Sequence, residues 1–340
     1  RWVKDHIWPS DSVQRQRLYF NGRALARESG KDEALAVASP QHTGLDGGEF
    51  CIIWLGPEFP GDQRHDDSGS LTFDSEPLAE AIDIVGAAVV TLSFSSDKPV
   101  AFVAVRLNSI WPDGAVSRIT YGLLNLCHHG NHETPQALEP GREYTVRIKL
   151  DDIAVRLPRG HRLRIALSTS YWPLMWPAPE PVTLTVHAGR SFVDIPVRGT
   201  RPEDPAPEFE KPEAAPPLKR KELSAPVQKR EMTVDQASGE RRLSILDDFG
   251  RYELPDHRLQ VWECARESYS ILPDDPLSAK QSIHWSEELA RGRWKIRTET
   301  YSELTATRSH WLIAARLEAY EGKRKILTRR WKEKIERKLG

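Results

Sequence analysis

The sequence predicts an all-β chain: a jelly-roll β-sandwich over residues 1–200, then a second antiparallel β meander over 241–340. Short runs with period-2 hydrophobic alternation recur along the chain, and turn residues punctuate them. No run in the first 200 residues keeps a helical period beyond two turns. One apolar face per strand calls for a second sheet to cover it, which is the sandwich arrangement.

The elements follow in order. The run 101–107 places Ala101, Val103, Val105 and Leu107 in alternation, and Trp111, Pro112, Asp113 and Gly114 close it as a turn. Pro112 presets φ, Asp113 can bond back to the backbone, and Gly114 tolerates positive φ. Glu139, Pro140 and Gly141 repeat the device before Tyr144, Val146, Ile148 and Leu150 alternate with Thr145, Arg147 and Lys149. Pro158, Arg159 and Gly160 form a third turn, followed by Leu163, Ile165 and Leu167 alternating with Arg164, Ala166 and Ser168. The run 181–186 alternates again.

Composition changes between 201 and 240, where Pro202, Pro205, Pro207, Pro212, Pro216, Pro217 and Pro226 are interleaved with Glu, Lys and Ala. Such a stretch buries too little surface to offset its ordering entropy, so it reads as an extended linker or a strap over the surface. Beyond 241, Trp294, Ile296, Thr298 and Thr300 alternate with charged neighbours, and Trp311, Ile313, Ala315, Leu317 and Ala319 share one face of the next run. Glu321, Gly322 and Lys323 mark a hairpin turn. The last run, 326–339, carries Trp331 and Ile335 at helical spacing but also fits a long strand, and the preceding turn favours the strand.

Charge and cysteine usage exclude several classes. There are 48 basic and 49 acidic side chains, so no overall field points to nucleic acid or an anionic membrane. No stretch approaches the roughly 18 apolar residues that span a bilayer. Cys51, Cys127 and Cys264 are scattered and odd in number, which excludes a disulfide framework and leans toward a reducing, cytoplasmic compartment. The first residue is Arg1, and Trp2 and Trp8 follow closely, as expected of a chain that starts inside a longer polypeptide.

Chemistry-bearing motifs are mostly missing. The pentapeptide G-x-S-x-G of a nucleophile elbow does not occur, nor do a phosphate-binding P-loop, GxGxxG or HExxH. His128, His129 and His132 lie within five residues, but Gly130 and Asn131 break any helix that would gather them, so a polar loop is expected and no metal or cofactor is assigned. His161 and His187 flank strands as structural or surface histidines. Asp66 with Asp67, and Asp274 with Asp275, read as loop-capping pairs. In the segment 171–177, Tyr171, Trp172 and Trp176 are set among Pro173 and Pro177, which prevent a regular ladder. These rings either wall a pocket or dock another domain, or else plug the end of the sandwich; stacking on free carbohydrate is the third reading.

Several segments together resemble a known family. Leu71 to Leu78, Val85 with Gly86, Leu92 to Asp97, Pro112 to Gly114, Leu138 to Gly141, Pro158 to Leu163 and Ser168 to Pro173 are similar, in order and spacing, to the C-terminal jelly roll of X-Pro dipeptidyl-peptidase-like and cocaine-esterase-like serine hydrolases. Ser109 stands where many members carry Asp. The resemblance implies a galactose-binding-like jelly roll that packs on an upstream α/β-hydrolase domain of the same polypeptide. It also implies a Ser-His-Asp triad located outside this chain, with no catalytic residue to assign here. The expected role is a non-catalytic module shaping the catalytic entrance, with Tyr171, Trp172 and Trp176 as the contact. A free-standing carbohydrate-binding jelly roll and an oligomerisation module are the rivals, and a homo-oligomer is compatible with each.

Overall fold

The structure is a computed structural model that describes every residue except 1, 4, 6, 53–57 and 200–207. Pro202, Pro205 and Pro207 lie outside the described residues. The chain forms two compact units, residues 1–211 with 339–340 and residues 212–338, and both are built almost wholly of strands.

In the first unit the hydrogen-bonded order runs Ala34–Val37, Leu184–His187, Val89–Ser96, Phe192–Arg198, Val13–Asn21, Ala24–Ala26, Leu71–Ser75, Arg162–Ser168, Phe102–Ile110, Val116–Asn125. Ile82–Gly86 pairs with Ile153–Leu157 and with Phe192–Arg198, and Glu143–Lys149 pairs with Val89–Ser96. Every pairing is antiparallel except Ala24–Ala26 with Leu71–Ser75. The inner faces meet in one core that includes Phe20, Phe73, Leu92, Phe94, Val105 and Ile165. Phe20 and Phe73 stack there with centroids 4.3 Å apart. The turns fall where the sequence places them: Gly114, Gly141 and Gly160 all take the left-handed φ that their turns require.

One strand departs from half-burial. Phe102–Ile110 is buried along nearly its whole length, on both faces. Val103, Val105 and Leu107 enter the core, while Ala104, Arg106 and Asn108 point the other way. That outer face is covered by the long segment between Val37 and Leu71, which carries the short helix Arg64–Ser68.

The second unit is an eight-stranded antiparallel meander in the order Lys221–Ser224, Arg241–Leu254, Leu259–Ile271, Lys280–Arg291, Trp294–Ala306, His310–Glu321, Arg324–Glu336. Val227–Val234 also pairs with Arg241–Leu254. The proline-rich stretch is therefore more than a linker: residues 221–224 and 227–234 join the sheet edge-on. Composition fails there because it reports on burial, and these exposed strands are held by backbone ladders that need no core. The final run is a strand, Arg324–Glu336, and Trp331 faces the same side as Ala315 and Ser302 in register.

Candidate functional site

The face of the sandwich that meets residues 63–70 is built around Arg106, whose side chain is fully buried. Its neighbours across the ladder are Ala166 and Tyr121. The helix Arg64–Ser68 lowers Asp66 and Asp67 onto this face. Arg106 Nη2 lies 3.1 Å from Asp67 Oδ1 and donates to Ser70 Oγ at 2.6 Å, and Nη1 donates to Gln63 Oε1 at 3.3 Å. Asp67 also accepts from Asn108 Nδ2 at 3.2 Å and from Arg164 Nη1 at 3.0 Å. Arg164 in turn makes a bidentate pair with Asp74, both bonds at 2.6 Å. Burying charges costs several kcal/mol per ion unless partners and hydrogen bonds compensate, and Asp67 has both. Burial pushes the Asp66 carboxyl above the usual carboxylate range, against the pull of Arg106.

The two aspartates thus do more than cap a local loop. Asp66 Oδ1 accepts the Gly44 N–H at 2.8 Å and so anchors a backbone segment 22 residues away. Gly44 sits at φ +113°, where a Cβ would meet the carbonyl carbon of Tyr171 at 2.6 Å and the Trp172 nitrogen at 2.7 Å. Only glycine permits this approach. The neighbouring Thr43 carbonyl accepts from Trp172 N at 2.8 Å, which locks the 171–177 loop to the covering segment.

This geometry decides where the three aromatic candidates go. Tyr171 and Trp172 are completely buried. Tyr171 Oη accepts from Arg118 Nη1 at 2.6 Å, and its ring packs on Tyr121 at 5.8 Å. Trp172 meets Trp176 edge-on at 5.3 Å, and Trp176 is the one of the three that keeps partial exposure. Neither Tyr171 nor Trp172 offers a free ring face to solvent. The two prolines marked the loop as irregular but carried no information on which way the rings point.

Exposed rings lie elsewhere on the same segment. Hydrogen bonds from Glu49 N to the Glu58 carbonyl at 2.9 Å and from Gly61 N to the Asp46 carbonyl at 3.0 Å bring residues 46–49 and 58–61 together. Beyond them Phe50 is 86% exposed, and Ile52, Phe59 and Cys51 are also open to solvent.

Two further constellations bear on chemistry. Ser109 Oγ is 2.9 Å from His161 Nδ1, with Trp111 packed on the imidazole at 5.1 Å. Both residues are buried, and among the described residues no carboxylate bonds the ring, so the pair ties the 158–160 turn to its neighbouring strand instead of forming part of a triad. Asp46, His65 and Asp66 place one ligand-type atom each within 4.8 Å of one another. In the histidine-rich loop His128 stacks on His132 at 5.4 Å, and His129 packs on Tyr144.

Against this geometry the comparisons with known proteins are informative. Among curated proteins, cocaine esterase of a Rhodococcus species is 29% identical over 187 residues, covering 51% of this chain and 32% of that protein. A proposed serine esterase of Mycobacterium bovis is 28% identical over 228 residues, covering 58% and 36%. The chain spans about a third of the length of these relatives. An aminopeptidase from a marine-sediment Thaumarchaeota archaeon shares the fold, with a TM-score of 0.50 at 19% identity over 58% of this chain and 39% of that one. Residues 1–216 match the family described as the X-Pro dipeptidyl-peptidase C-terminal non-catalytic domain, and the chain belongs to that family.

Proposed function

We propose that this chain is the C-terminal module of a serine hydrolase acting on esters, acyl amides or prolyl peptides, and that it packs on an upstream α/β-hydrolase domain and shapes the entrance to its site. The family match and the esterase relatives support the parent chemistry. The observation that carries the docking role is the exposed apolar set Phe50, Ile52 and Phe59. Its rings are exposed, yet the segment that carries it is braced by Asp66, Gly44 and the buried Arg106 cluster. Exposed apolar side chains on a rigid base suit an interface better than a solvated surface. The contact expected of Tyr171, Trp172 and Trp176 becomes an indirect one: they back the segment that carries this set.

Mixing the chain with a separately expressed hydrolase domain tests the reading. Ester hydrolysis should need both pieces, and Phe50→Asp should weaken their association at least tenfold while leaving the melting profile of the isolated chain unchanged. Fluorophosphonate labelling of a serine within these 340 residues, or full activity of the hydrolase domain alone, would contradict it. A saturable tryptophan-fluorescence change with oligosaccharides would favour the carbohydrate-binding alternative.

A further inference from the structure

We propose that Asp46, His65 and Asp66 form a binding site for a divalent transition-metal cation, with zinc as the best match, which ties residue 46 to residues 65 and 66. The inference is independent of the hydrolase reading.

The ligand set is the first argument. His65 Nδ1 lies 3.0 Å from Asp46 Oδ2, and the three donor atoms fall within 4.8 Å of one another. Donors around a tetrahedral zinc stand roughly 3.4 Å apart, as bond lengths of about 2.0–2.2 Å require. Asp46 and His65, whose side chains are 26% and 54% exposed, have room to turn toward a shared ion. One imidazole with two carboxylates suits a borderline cation, whereas calcium and magnesium favour all-oxygen shells. The exposed side of His65 leaves positions for water.

The independent argument is Asp66. Its side chain is fully buried, and Oδ2 receives no hydrogen bond. Arg106 Nη1 stands off at 3.7 Å, while the Nη groups of Arg106 go to Gln63, Ser70 and Asp67. A buried carboxylate oxygen without a donor is costly, and a coordinated cation removes that cost. Around it, Arg106 pairs with Asp66 and Asp67, Arg164 pairs with Asp67 and Asp74, and Arg118 is bonded to Tyr171, which leaves Asp46 with His65 as its ion-pair partner among the described residues. Arg106 opposes the ion by direct repulsion, which argues for moderate affinity. The base of the site is fixed, because the Asp46 carbonyl accepts from Gly61 N and from Gln63 Nε2, and Gly44 N holds Asp66 Oδ1.

The test uses the whole chain, stripped with chelator and titrated calorimetrically with zinc, with magnesium as comparator. One equivalent of zinc is expected to bind, to raise the melting temperature by several degrees and to slow proteolysis within the 47–63 loop. Magnesium should do neither. Asp46→Asn and His65→Ala each remove a partly exposed ligand, so both variants should fold with the stability of the metal-free parent and lose zinc affinity by at least tenfold. His132→Ala serves as the control for the other histidine cluster and should bind normally. The proposal is overturned if zinc does not bind, if both site variants retain it, or if His132→Ala is the change that abolishes it.

Discussion

The two units bury their strands by different means. In the sandwich, sheet faces sheet, and Leu92, Phe94, Val105, Leu107 and Ile165 are sealed completely. Phe102–Ile110 is covered on its second face as well, by Asp66 and Asp67 on Arg106. In the meander the fully buried apolar set is short, with Leu243, Cys264, Ala265 and Ile271 as its centre, and Arg324–Glu336 is exposed throughout. Its cohesion comes from long, regular ladders: Lys280–Arg291 and Trp294–Ala306 stay in register over twelve residue pairs. The sandwich should therefore be sensitive to single buried side chains. The meander should be sensitive mainly where its few buried groups lie.

The largest effect is expected at Arg106. Arg106→Leu leaves Asp67 with one guanidinium and Asp66 with none, and breaking a buried pair in this way costs about 3–5 kcal/mol. Denaturant melting should show the loss, and Asp66→Asn with Asp67→Asn added to Arg106→Leu should recover a large part of it. A loss under about 1 kcal/mol, the range of exposed ion pairs, would mean that the second face is wet. Next comes Gly44→Ala, which forces a methyl group against the Tyr171–Trp172 backbone at a positive φ. A destabilisation of about 2–3 kcal/mol is expected, in the range of backbone strain with a steric clash. Circular dichroism in the aromatic region should change with it, because Trp172 and Trp176 move together.

How much of this could be read in advance follows from the same contrast. The turns at Gly114, Gly141 and Gly160 were legible because their signals are local: a proline and a glycine within three positions. The meander strands were legible from alternation, down to the shared face of Trp311, Ile313 and Ala315. The Arg106 cluster was not. Alternation assigns Arg106 and Asn108 to solvent, and nothing local connects them with an aspartate pair some 40 residues earlier. The available signal was a joint one, buried-type charges of opposite sign on the outer face of two neighbouring strands and on one short polar segment. The burial of Tyr171 and Trp172 was hidden for the related reason that Gly44 and Thr43, which pack on them, lie far away in sequence.

Within the meander, Glu288 is the buried charge that should matter most. It pairs with Arg251 and with Lys295. Desolvation pulls its carboxyl upward, but hydrogen bonds from Lys295 and Arg251 outweigh this and hold it below the ordinary glutamate value. A folded-state value lowered in this way gives stability that is fully present above the unfolded value of about 4.3 and is lost as pH falls through the folded one. Because both partners are partly exposed, Glu288→Gln should cost only about 1 kcal/mol at neutral pH. The difference between parent and variant should begin to shrink as pH falls below about 4.3 and vanish once pH has passed below the folded value. A difference that persists there would show that packing, not charge, sets the effect.

The smallest effect is expected at the exposed strand, where the comparison can be sharpened without unfolding anything. Trp331 is 44% exposed and stands opposite Ala315, a neighbour too small to enclose it. Trp331→Thr keeps β propensity and should change stability by no more than about 0.5 kcal/mol, as surface substitutions do. An indole in the sandwich core would cost several times more. The outer edge of the same strand carries unpaired backbone groups, guarded by Arg324, Lys325, Arg329, Arg330, Lys332 and Lys334. Cationic side chains discourage pairing with another chain's edge. Replacing Arg330, Lys332 and Lys334 with Thr should therefore leave the melting temperature nearly unchanged and yet produce concentration-dependent association by light scattering. A variant that associates no more than the parent at high concentration would show that the geometry of the edge, and not its charge, limits such pairing.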